Sequence, residues 1–358
     1  MKKYLLYLCI SLLSTGILIP ANPAKAMESN SVTTKSTEAT RELTPATKKR
    51  KSKVTKVTIS AAGDCTLGVD SRYNNCFNNY YANHNAAYFF KKVKPIFSKD
   101  DVTIVNFEGT LTNSTNRASK AFTFKGPAQY TSILKKGSIE VVNLANNHTM
   151  DFGQAAFNDT KNALKKAKIS YCHYGTIAYK TVNHVKIAFL GFHHTSTEQI
   201  KNTIKQAKKK RAKIIIVSFH WGIEKSYYPN STQKTLRRYA IDQGASLVLG
   251  HHPHVLQGVE KYKGRYIVYS LGNFCFGGNN NPQDKDTMIF QQTFYVKNGK
   301  LQKKNDARII PCSLSSVSYT NDFQPKKLTG SSKKRLINKI NKLSNGMHTS
   351  VKSNGKLK

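Results

Sequence analysis

The stretch SLVLGHHPHVLQG, residues 246–258, decides how the chain reads. Ser246–Leu249 is a short run of small and apolar residues. Gly250 interrupts it, and His251, His252 and His254 follow around Pro253. An apolar run closed by glycine fits a buried strand of a mainly parallel sheet. Imidazoles at its carboxyl end stand where α/β sheets bind their ligands.

The same arrangement recurs upstream. Asp64 follows VTISAAG, Asn106 and Glu108 follow DVTIV, and Asn146, Asn147 and His148 follow EVVNLA. His220 follows IIIVSF. A single histidine after a strand is usually structural. Five strand ends that all offer a carboxylate, a carboxamide or an imidazole point to one shared site. Between these strands lie helical patterns at 85–97, 154–167, 197–211 and 231–244. Later runs read as strands, and Asn298-Gly299 carries a hairpin signal. Alternation early and strands late predict an α/β domain with added β-structure over residues 57–325.

Outside that domain the composition changes. Residues 1–26 combine a basic start, an apolar run and Ala24-Lys25-Ala26, the pattern of a secretory signal, removed or kept as an anchor. No later stretch reaches the roughly 20 apolar residues that span a bilayer. Residues 27–56 are rich in Thr, Ser and Lys and predict a disordered linker. Residues 326–358 predict a flexible basic tail with one weakly helical piece, KKRLINKINKL; from 327 on they hold no Asp or Glu. Five cysteines follow the signal. Cys65–Cys76 is the nearest pair for a disulfide, with free buried thiols as the alternative.

Lys and Arg number 57 against 19 Asp and Glu, a net charge of +38. Such a field attracts polyanions without naming one. Export excludes nucleic acid as the natural target and favours an anionic polymer of the cell surface. A basic surface kept for solubility is the alternative reading.

Carboxylates, an amide oxygen and imidazoles together suit a divalent transition metal, Mn, Fe or Zn, rather than calcium. A bridging carboxylate would let one or two ions sit there, a pair lying about 4 Å apart.

The motifs AAGDCTLG, VNFEGTL, NLANNHTMDFG, SFHWGIE, LGHHPHV and YSLGNF, in that order, resemble the bacterial CapA family, linked to poly-γ-glutamate capsule synthesis and attachment. That family is similar in turn to the calcineurin-like metallophosphoesterases. The resemblance covers most of residues 57–280. It implies a four-layer α/β/β/α sandwich, and a secreted or cell-surface protein with membrane-bound capsule synthesis proteins as partners. It implies Asp64, Glu108, Asn147, His220, His252 and His254 as metal ligands, and His148 as the acid that protonates a leaving group. Thr66 stands where the phosphoesterase Asp-x-His pattern has its histidine, and Glu108 where it has aspartate.

Further candidates come from the residues themselves. Asp151, three after His148, either orients that imidazole or caps the following helix. Asn106, Asn146 and Asn273 are candidates for substrate contact, a turn-forming role being the alternative for Asn273.

Overall fold

The computed structural model describes residues 54–358, so the expected signal segment and nearly all of the expected linker lie outside the described residues. The strands in chain order are β1 (Val54–Thr66), β2 (Val102–Phe107), β3 (Thr110–Leu111), β4 (Lys125–Gly126), β5 (Val141–Asn143), β6 (Ser170–Cys172), β7 (Ala178–Val182) and β8 (Val185–Phe192). They continue as β9 (Ile214–His220), β10 (Leu247–His251), β11 (Val259–Tyr262), β12 (Arg265–Val268), β13 (Asn273–Phe276), β14 (Asp286–Lys297), β15 (Lys300–Ser313) and β16 (Lys326–Lys327). The helices are α1 (Cys76–Asn83), α2 (Lys94–Phe97), α3 (Thr131–Lys136), α4 (Gly153–Lys166), α5 (Thr197–Lys209), α6 (Ser231–Gln243) and α7 (Gly330–Leu343).

Two sheets form from these strands. One runs β16-β15-β14-β1-β2-β5-β6, with β13 also pairing β1; the other runs β11-β12-β10-β9-β8-β7. Successive side chains of a strand face opposite ways, and both faces here are apolar. Ile59, Ile104, Val141, Ile187, Phe189, Ile216 and Leu249 fill the space between the sheets. Their neighbours Val105 and Val142 pack outward with Phe77, Ile133 and Leu164 from α1, α3 and α4, and with Phe90 from the segment before α2. Ala188, Leu190 and Val217 pack outward on Ile200, Ile204, Ala240 and Ile241 of α5 and α6. The layers are therefore helix, sheet, sheet, helix, the four-layer α/β/β/α order expected.

Some local expectations change. The helix expected over 85–97 is a series of turns ending in the four-residue α2, where Pro95 at the first turn removes a backbone donor. The strand expected at 138–147 is only Val141–Asn143, because the chain then leaves the sheet to build the site. The Asn298-Gly299 turn forms as read, with both residues at positive φ (50° and 70°) between β14 and β15. All five cysteines in the described residues are free, so Cys65 and Cys76 are not paired.

The larger correction concerns the C-terminus. Residues 326–358 are not a flexible tail: Lys326–Lys327 extend the first sheet and Gly330–Leu343 form α7. Leu336, Ile337, Ile340 and Leu343 repeat at helical spacing and are buried in the core between the sheets, with Val351 beyond them. The lysines that suggested disorder occupy the other face. At the opposite boundary, residues 54–56 of the expected linker belong to β1, where Thr55 pairs Val296.

Candidate metal and acid–base centre

Asp64 lies near the carboxyl end of β1, where the strand is shaped by close backbone approach. Gly63 packs so tightly that a Cβ there would lie 1.9 Å from the Gly272 carbonyl oxygen. Gly272 itself has φ +69°, and its carbonyl accepts the Asp64 N–H at 2.9 Å. Glycine is needed at both positions, one for space and one for conformation. This contact sets Asn273 beside Asp64 in the β1–β13 register.

Around Asp64 the expected residues converge. The Asn106 amide donates to Asp64 Oδ1 at 2.9 Å and to Glu108 Oε1 at 3.2 Å. His254 Nδ1 lies 3.3 Å from Asp64 Oδ2 and 2.8 Å from Asn273 Oδ1. His220 Nδ1 is 3.4 Å from Glu108 Oε1, and its Nε2 is 2.7 Å from Asn147 Oδ1. The His252 ring is centred 4.6 Å from that of His220. Nitrogen or oxygen atoms of Asp64, Glu108 and His254 lie within 4.8 Å of one another.

The turn carrying the histidines is strained. His252 and His254 have φ of +95° and +58°, which cost non-glycine residues about 1–3 kcal/mol each. The conformation is held from outside: the His252 N–H donates to Asp64 Oδ2 at 3.2 Å, and the Pro253 carbonyl accepts from Lys225 N–H at 2.8 Å.

A second group adjoins this one. His148 Nδ1 is 2.8 Å from Asp151 Oδ2, and Asp151 is wholly buried. Asp151 also accepts the Phe124 N–H at 2.6 Å and the Lys120 ammonium at 2.8 Å. Its carboxylate is thus an orienting partner for His148; α4 makes no side-chain cap with it. Asn146 spends its amide on the Phe107 carbonyl (2.7 Å) and on the His148 N–H (3.0 Å). Asn106 is fully buried, its oxygen taken by Asn143 at 2.8 Å. These two asparagines, read in the sequence as substrate contacts, are committed to building the site. Asn273 is likewise engaged by His254.

The charges are unevenly shared. Burial would raise the Asp64 carboxyl, but His251 and His254 hold it well below the ordinary range. Burial and the nearby Asp64 charge push Glu108 well above its own. Burial would lower His254, but the Glu108 and Asp64 carboxylates outweigh it and raise the imidazolium to about 10. His252 is driven down to about 4 by burial and by His254, and His220 well down by burial and His252. Burial also lowers His148 against the pull of Asp151.

A divalent cation fits this donor set. Glu108 Oε2 and His252 Nδ1 are buried without a hydrogen-bond partner. Both ring nitrogens of His251 are too, since its 3.3 Å approach to Asp64 Oδ1 is not aligned for a hydrogen bond. Such orphaned atoms are costly unless a ligand meets them. Of the residues expected to hold the ion, Asp64, Glu108 and His254 bring donor atoms within 4.8 Å of one another, while Asn147 and His220 engage each other at 2.7 Å.

Three participants escaped the sequence reading. Lys120 reaches Asp151, and also the Asn147 carbonyl at 2.9 Å. Asn143 supports Asn106. Glu224 approaches His252 and His254, with donor atoms within 4.8 Å of one another. Lys120 and Asn143 carry no local signal; Glu224 closes the SFHWGIE motif, and its place four residues after His220 was the one available hint.

Residues 58–278 match the family model described as "Bacterial capsule synthesis protein PGA_cap". "PGA biosynthesis protein CapA" of Bacillus subtilis (strain 168) is 37% identical over 214 residues, which cover 52% of this chain and 56% of that protein. "Capsule biosynthesis protein CapA" of Bacillus anthracis is 31% identical over 252 residues, covering 62% and 60%. The chain therefore spans a little over half the length of these curated relatives. Among solved structures, TT1561 of Thermus thermophilus aligns with a TM-score of 0.38 and 11% identity, over 69% of this chain and 98% of that one.

Proposed function

The chain belongs to the bacterial capsule synthesis protein family PGA_cap, and from that membership we propose that it acts on an anionic capsule polymer of the poly-γ-glutamate type, in synthesis, attachment or processing, through a metal-dependent hydrolase site of phosphoesterase character. The observation that supports this reading is the meeting of Asp64, Glu108 and His254, with donor atoms within 4.8 Å of one another, in a site that also carries a His148–Asp151 pair. A bound divalent ion would polarise an ester or amide oxygen and lower the pKa of a water. The protein's own contribution is acid–base. Asp151 accepts from His148 Nδ1, fixing the ring and favouring its imidazolium against the effect of burial; in that protonated form Nε2–H would protonate a departing oxygen. The strained His252–His254 turn and the buried Asn106 hold the remaining groups in place.

The protein works at the cell surface in this proposal, exported by residues 1–26, with membrane-bound capsule synthesis proteins as partners. No helix among the described residues is long and apolar enough to cross a membrane.

The +38 charge favours a second reading, a non-catalytic component that holds a polyanion within a capsule assembly. One set of measurements separates the two. Elemental analysis of the purified protein should find Mn, Fe or Zn, and His252→Ala and His254→Ala should each lower its content. A generic phosphodiester should be hydrolysed by the loaded protein. Protein that takes up no metal, turns nothing over and binds poly-γ-glutamate with a steep salt dependence supports the second reading.

A further inference from the structure

We propose that Glu224 is an additional ligand of the metal centre, approaching from its solvent-exposed rim, in a site that has Thr66 where phosphoesterases carry a first-motif histidine. The inference rests on the metal-centre reading above and extends it to a residue outside the expected ligand set. Thr66 is fully buried, and its hydroxyl has no hydrogen-bond partner. A neutral hydroxyl is a weak ligand for a transition metal, so a site built on this sequence is short of one strong donor.

Glu224 supplies an anionic oxygen donor, a stronger ligand than a hydroxyl. Its carboxylate and the imidazoles of His252 and His254 have donor atoms within 4.8 Å of one another. His254 also belongs to the buried group with Asp64 and Glu108, so the two groups meet at one side chain. His252 Nδ1 is a buried atom without a partner, an independent sign that this corner receives a ligand.

An exposed glutamate is usually free to swing; this one is carried on a pinned segment. The Trp221 N–H donates to the His251 carbonyl at 3.1 Å, and the Lys225 N–H to the Pro253 carbonyl at 2.8 Å. The Gln257 amide donates to the Ser226 carbonyl at 2.8 Å. Gly222, at φ +88°, packs against the Gln233 carboxamide. The backbone on both sides of Glu224 is thereby stitched to the turn that bears the histidines. Acidic residues are outnumbered three to one in this chain, yet no salt bridge among the described residues includes Glu224. A carboxylate oxygen and two imidazole nitrogens gathered within 4.8 Å of one another are donors of the kinds that hold a divalent transition metal.

The test is metal binding by the full chain, without reference to turnover. Wild type, Glu224→Gln, Glu224→Asp and His252→Ala are titrated calorimetrically with Mn²⁺ and Zn²⁺, and the absorption bands of the Co²⁺-loaded forms are recorded. Glu224→Gln should weaken binding by about tenfold or more and shift the Co²⁺ bands, with Glu224→Asp intermediate. The substitution is isosteric and exposed, and an unchanged thermal melt of the metal-free protein shows the fold intact. If Glu224→Gln leaves affinity, stoichiometry and bands unchanged while His252→Ala lowers affinity, Glu224 is not a ligand and the metal centre stands without it. If wild type binds none of these ions, the metal centre and the role of Glu224 fall together.

Discussion

Arg335, on the C-terminal helix, pairs with Asp286 at the start of the long hairpin: guanidinium and carboxylate are 2.8 Å apart across 49 residues of sequence. Lys339 joins the same carboxylate at 2.9 Å and Asp284 at 2.8 Å, and Tyr227, three residues beyond Glu224, reaches Asp284 at 2.8 Å. The C-terminal helix is therefore fastened to the segment that borders the site.

Removing residues 327–358 should destabilise the domain strongly, because it strips Leu336, Ile337, Ile340 and Leu343 from the core between the sheets. Leu336→Ala alone should cost about 2–5 kcal/mol in a urea melt. Arg335→Ala should cost about 1 kcal/mol or less, since the arginine side chain is 58% exposed. A truncated chain that melts like the full one would contradict the role of α7.

His148→Ala should retain metal but lose about 10²–10⁴-fold in turnover on a substrate with a poor leaving group. A good leaving group, which needs no proton, should lose much less. Equal losses on both would make His148 a support for the site rather than its acid.

Gly63→Ala forces a Cβ against the Gly272 carbonyl, and β1 has no free side on which to yield. Overpacking of this kind costs about 1–3 kcal/mol. The strain falls on the peptide before Asp64, so metal affinity should drop as well. Calorimetric titration beside a thermal melt reads both effects.

Stability should depend on Asp100. Burial, reinforced by Glu140 and Asp101, raises its carboxyl from 3.8 to about 7, against hydrogen bonds from Ser60 and Thr103. The folded chain then holds a proton that the unfolded chain has released between about pH 4 and pH 7, so this group makes stability fall as pH rises through that window. Asp100→Asn keeps an acceptor for the Thr103 hydroxyl, 2.8 Å away, and removes the charge. Urea melts at pH 5 and pH 8 should show the variant gaining on wild type at the higher pH; parallel behaviour at both would show that Asp100 ionises freely.

The sequence by itself determined the main strands, their apolar character and the positions where chemistry gathers. Runs such as IIIVSF alternate large apolar residues onto both sides of a sheet, which only a layered fold can bury. Strand ends are local features, so Asp64, Glu108, His220 and the His251–His254 turn were legible in their motifs. What the tertiary structure alone decided depends on partners far apart in the chain. Leu336, Ile337, Ile340 and Leu343 looked like a minor stripe in a lysine-rich tail until the space between two sheets received them, and Asp284 and Asp286 supply counter-charges the tail lacks. Asn106 and Asn146 looked available to a substrate, because sequence cannot show that Asp64, Asn143 and Phe107 already occupy their amides. Lys120 and Glu224 enter by the same route: each comes from a connecting segment, with no periodic pattern to mark it, and is brought to the centre by hydrogen bonds that exist only once the sheets have packed.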